Sequence, residues 1–89
     1  MTKKDQIVYL TKKYYEGEYD TITFTDEFNR IYALELDYSS LTERENFLFS
    51  QLSLVTSRFS PFEEDFKVEG AYFNEKDVKE KVAEVYSEL

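Results

Sequence analysis

Residues 41–59, LTERENFLFSQLSLVTSRF, carry the strongest periodic pattern in the chain. Leu41, Leu48, Leu52, Val55 and Phe59 recur at the three- and four-residue spacing of one helical face, and Phe47 and Leu54 are expected to widen that stripe. Ser40-x-x-Glu43 and Thr42-x-x-Glu45 both fit a capping box, in which a hydroxyl and a carboxylate each accept from a backbone N–H at the helix start. Pro61 stops the helix, because proline cannot donate to the ladder and its ring restricts the residue before it. A helix over residues 41–58 is about 27 Å long and forms the spine of the fold.

Three further helices are expected around it. Upstream, residues 3–16 place Ile7, Leu10 and Tyr14 on one face, with Thr2 and Asp5 as a start signal and Gly17 as a stop. The next segment opens ambiguously. Tyr19 to Thr25 alternates and contains β-branched residues, so a short strand through Ile22 and Phe24 competes with an extended lead-in there. From Asp26 the period is helical, with Phe28, Ile31 and Tyr32 on one face and Thr25 as the expected cap. Downstream, Asn74 and Asp77 form another start signal, Phe73 is placed to staple against Val78, and Val78, Val82, Val85 and Leu89 form the expected buried face. The expectation is an all-α, compact antiparallel four-helix bundle in one domain over residues 1–89.

Composition bounds what such a domain can do. In 89 residues there is no cysteine and no histidine, which removes disulfides, the usual zinc ligands, a thiolate nucleophile and an imidazole base together. Carboxylate chemistry would need a buried or coupled pair drawn from Glu63, Glu64, Asp65 and Glu69, in a chain with little interior to spare. A calcium loop fails on its own spacing: with Gly70 at the turn and Asp65 first, lysines fall at the third and twelfth ligand positions. Neither a metal nor another cofactor is expected, and the chain reads as a non-enzyme. No continuous apolar run follows the amino terminus, so a cytoplasmic location and no membrane contact are expected.

The net charge of −8 disfavours direct binding to nucleic acid and favours steered association with a cationic protein surface. Simple solubility is the plainer account of it. Glu63, Glu64, Asp65 and Glu69 concentrate the charge in the connection after Pro61, where Phe62 and Phe66 flank the triplet as expected anchors. Of eight tyrosines, Tyr15, Tyr19 and Tyr72 are the candidates for a contact surface, since a phenol adds area and a hydrogen bond with limited entropy loss.

Taken in order, these segments resemble the colicin D type of bacterial toxin-immunity protein. The residues that carry the resemblance are Lys12-Lys13-Tyr14-Tyr15-Glu16-Gly17 closing the first helix, Ile22-Thr23-Phe24-Thr25-Asp26-Glu27-Phe28 opening the second, the Leu48 to Phe59 helix ending in Ser57-Arg58-Phe59-Ser60-Pro61, and the valine-rich last helix. The resemblance implies a small cytoplasmic inhibitor that covers the basic substrate site of a ribonuclease domain. That domain would be the carboxy-terminal part of a cognate tRNA-cleaving bacteriocin or contact-dependent toxin. The competing reading is an acidic helical adaptor or regulatory subunit for a basic protein that is not a nuclease.

Overall fold

The computed structural model describes residues 2–62 and 71–89. It is a compact all-helical protein with a radius of gyration of 12.8 Å and extents of 39 × 24 × 22 Å. Among the described residues there are four α-helices: α1 (Lys3–Tyr15), α2 (Thr21–Arg30), α3 (Glu43–Thr56) and α4 (Glu75–Glu88). Helix α1 packs on α2 and α4, and α3 completes the set by packing on α2 and α4.

Local chemistry sets three of the four starts as expected. Thr2 with Asp5, Thr42 with Glu45 and Asn74 with Asp77 each close a reciprocal capping box. Helix α1 ends in a Schellman arrangement: Gly17 N–H donates to the Tyr14 carbonyl and Glu18 N–H to the Lys13 carbonyl, both at 2.9 Å. Gly17 itself sits at φ +85°, in the left-handed region.

The second helix corrects the sequence reading. The alternating stretch is not extended; it is the first turns of α2, which begins at Thr21 behind an Asp20 cap that accepts from Thr23 N–H at 2.7 Å. Thr25 is not a cap but a buried helical residue whose hydroxyl donates back to the Thr21 carbonyl at 2.9 Å. Burial of Thr21, Phe24, Thr25 and Phe28 gives a helical face in which two members are threonines. Beyond Arg30 the chain widens into one π-helical segment, Ile31–Glu35, closed by Leu36 N–H on the Ile31 carbonyl at 2.8 Å.

Ile7, Phe24, Phe28, Phe49, Leu52 and Val78 are fully buried at the centre of the core. Two expectations about its edge are overturned. On α3 the stripe is completed by Phe49, whereas Phe47 and Leu54 are 62% and 54% exposed. At the end of α4, Leu89 is 43% exposed and lies outside the buried valine face.

The core also contains polar residues, each satisfied. Thr56 Oγ donates to Asn29 Oδ1 at 2.7 Å while Asn29 Nδ2 donates to the Thr56 carbonyl at 3.2 Å, tying α2 to α3. Among the described residues no buried side-chain nitrogen or oxygen lacks a partner.

Helices α3 and α4 meet end to opposite end. Arg44 in the first turn of α3 pairs with Glu88 at the end of α4 at 3.0 Å, and Phe59 after α3 forms a β-bridge with Phe73 before α4. Two hydrogen bonds hold that bridge, Phe73 N–H to the Arg58 carbonyl at 2.8 Å and Ser60 N–H to the Phe73 carbonyl at 3.0 Å. The bridge fixes both flanks of the connection that contains residues 63–70. No helix among the described residues is long and apolar enough to cross a membrane.

Candidate functional site

Three chain-distant segments meet at one end of the fold: the start of α2, the turn after α3 and the start of α4. Residues 20–22, 59–61 and 74–75 line a cleft of about 360 Å³ between them. Its apolar lining comes from Ile22, Phe59 and Pro61, and Asp20 and Glu75 supply carboxylates; no Lys or Arg is among its described lining residues. Ile22 is 53% exposed although it lies in a helix, which leaves an aliphatic surface open to a partner.

A polar chain fixes the wall of this cleft. Thr21 Oγ donates to Glu75 Oε1 at 3.0 Å, and since a hydroxyl has one proton, the 2.8 Å contact with Tyr14 must be donation by the tyrosine. Helices α1, α2 and α4 are thereby joined through three side chains. The Thr21 hydrogen bond, followed by Lys79 at 3.3 Å, holds the Glu75 carboxyl below the usual glutamate range. Burial pushes the Tyr14 phenol up. Asp20 is held below the usual aspartate range by the N–H and hydroxyl of Thr23. Both carboxylates of the cleft are therefore ionised at neutral pH.

The other described acids are mostly engaged in the framework. Asp5, Asp37 and Asp77 cap helical segments. Glu35 is held between Lys3 at 2.6 Å and Arg30, while Glu45 pairs with Lys4 at 2.9 Å. Arg30 also pairs with Glu27. Among the described acids only Asp26 and Glu43 enter neither an ion pair nor a cap. Residues 63–70 hold four acids against one lysine. Among the described residues no group of three acids is arranged to hold a metal ion.

The expected contact residues separate into three groups. Glu63, Glu64, Asp65 and Glu69 lie outside the described residues, as does Phe66. Phe62, expected to anchor the triplet, is 65% exposed and so is not buried in the bundle. Tyr19 and Tyr72 are exposed and adjoin the cleft in sequence, Tyr19 directly before Asp20 and Tyr72 two residues before Asn74. Tyr15 is elsewhere: its ring lies 4.9 Å from that of Tyr86, beside a second groove of about 290 Å³ lined by Gly17, Lys79, Val82 and Ala83. Sequence reasoning missed Asp20, Ile22 and Glu75, and no local signal marks them as a set, because up to 55 residues separate them.

No family profile, curated protein or solved structure matches this chain. The family resemblance stands on the quoted motifs alone.

Proposed function

We propose that this protein is an immunity-type inhibitor that binds the basic ribonuclease domain of a cognate tRNA-cleaving toxin and covers its substrate site. In that role it is a cytoplasmic, non-catalytic binding protein without a cofactor. The observation that carries the reading is electrostatic. The cleft joins an apolar lining to two ionised carboxylates with no cation among its described lining residues, and it shares one end of the fold with both flanks of the most acidic stretch of the chain. Such a surface complements a groove built to hold phosphates, and long-range attraction speeds the encounter.

The test looks for a toxin nuclease domain encoded beside the chain's own gene and uses it as the probe, with the colicin D nuclease domain as a second probe. Stoichiometric inhibition of tRNA cleavage by the former is expected. Replacing Glu63, Glu64 and Asp65 together by Lys should slow association and weaken inhibition more than the matched reversal of Glu16, Glu80 and Glu84, whose side chains are exposed. Equal slowing of both variants, converging as salt is raised, assigns the effect to the general field. Failure to bind or inhibit the neighbouring nuclease overturns the proposal.

A further inference from the structure

We propose that the outward face of α3 docks a second copy of this chain, the two α3 helices lying antiparallel across a twofold axis. This does not depend on the inhibitor reading, since Glu43, Phe47, Ser50, Leu54 and Arg58 do not line the cleft. A surface helix ordinarily turns charged residues outward. Helix α3 departs from that rule: residues 46–57 form the longest uncharged run in a chain of which 34% is charged. At 3.6 residues per turn, Glu43, Phe47, Ser50 and Leu54 fall within an arc about 60° wide, and Arg58 follows in the turn after the helix. Phe47 and Leu54 are more than half exposed, so the middle of this face is apolar surface open to solvent.

The order of residues along the face is self-complementary. An axis passing between Ser50 and Gln51 sets Phe47 of each copy opposite Leu54 of the other and Glu43 opposite Arg58, because the members of each pair are equally far from the axis. Unlike charges therefore meet at both ends of an apolar centre, whereas a parallel pair would set Glu43 against Glu43 and Arg58 against Arg58. Both charges are idle in the single chain. Among the described residues, Glu43 shares with Asp26 the distinction of entering neither an ion pair nor a cap, and Arg58 and Lys12 are the only Lys or Arg residues without an ion pair. The neighbours Arg44 and Glu45 are already taken by Glu88 and Lys4. A footprint about 22 Å long and about 10 Å wide is smaller than the roughly 800 Å² per partner of a standard interface, so the dimer is a weak one that forms with concentration.

Sedimentation velocity on the full chain, from roughly 10 μM to 1 mM, spans the affinities of such a contact. At about 0.15 M salt the repulsion between two chains of charge −8 is screened beyond about 8 Å. The expected result is a monomer–dimer equilibrium that Phe47→Ser weakens by about tenfold or more with unchanged helicity. Glu43→Arg and Arg58→Glu should each weaken it by about fivefold or more. The antiparallel register then requires two recoveries. One is the chain carrying both charge changes, and the other is an equimolar mixture of the two single variants, which pairs unlike charges at both ends. A chain that stays monomeric throughout overturns the proposal, including one whose Phe47 instead mediates binding to phosphatidylcholine vesicles or to the colicin D nuclease domain. Dimerisation that the charge variants leave unchanged, or weaken without either recovery, overturns it as well. Recovery by the mixture alone would assign a parallel pair and overturn the register.

Discussion

The rings of Tyr14 and Phe24 stack at 4.3 Å with their planes 12° apart, so the last turn of α1 and the first turns of α2 share one aromatic contact. Phe24 is fully buried and also touches Phe28 at 5.7 Å between ring centroids. Phe24→Ala should therefore cost about 3–5 kcal/mol in chemical denaturation. A loss under about 1 kcal/mol would mean that the α1–α2 corner is not part of the core.

Helix α3 offers an internal comparison. Leu52 and Phe49 are fully buried, so Leu52→Ala should cost about 2–5 kcal/mol and Phe49→Ala about 3–5 kcal/mol. Phe47→Ala, two residues away on the exposed side, should change stability by about 0.5 kcal/mol or less. Reversal of the Phe47 and Phe49 effects would show the helix rotated from the phase described above.

At Gly17 a Cβ would meet nothing within 4 Å, so any penalty for Gly17→Ala is conformational and not steric crowding by neighbours. The left-handed φ sets it at about 1 kcal/mol, with Gly17→Asn costing less. Equal melting temperatures for wild type and Gly17→Ala would contradict the assigned turn.

The Tyr14–Thr21–Glu75 chain predicts unequal deletions. Tyr14→Phe removes a donor and leaves Thr21 bonded to Glu75, at a cost of about 1 kcal/mol. Thr21→Val strands the buried Tyr14 hydroxyl and should cost up to about 3 kcal/mol. A double-mutant cycle reads the coupling, and additivity of the two changes would refute the shared hydrogen bond.

Acid titration has a definite sign. The Thr42 N–H, then Lys4, holds the Glu45 carboxyl below its ordinary range. A carboxylate with a lowered folded pKa contributes stability above its unfolded pKa, near 4.3 for glutamate, and loses it as pH falls through the folded value. The stability difference between wild type and Glu45→Gln should thus favour wild type at neutral pH and shrink once the carboxylate is protonated. A difference that grows on acidification would reverse the assignment. Asp5, Asp37 and Glu35, lowered by Thr2, Ser39 and Lys3 respectively, act in the same direction.

What was legible in the sequence was local. Thr2, Thr42 and Asn74 could be read as caps because a box closes within four residues, and the valines of α4 repeat without interruption. Helix α2 was hidden because Thr21, Ile22, Thr23 and Thr25 are β-branched, while the two threonines that complete its buried face satisfy their hydroxyls only in the folded chain, Thr25 on its own helix and Thr21 on Glu75 of α4. On α3 the stripe through Leu48, Leu52 and Val55 was legible, but with aromatics on both sides of Leu48 the flank that widens it was not, and tertiary packing buried Phe49 instead of Phe47. The acidity of residues 63–70 was plain as composition. The cleft was not, since it belongs to no single segment.

The Phe59–Phe73 bridge brings the two flanks of the connection after α3 side by side. Closure entropy rises only logarithmically with the length of chain between two fixed points. Backbone hydrogen bonds at Arg58, Ser60 and Phe73 clamp both ends, so a longer connection would add little closure cost. In the proposed inhibitor role, rewriting this stretch would be the route by which recognition is retargeted.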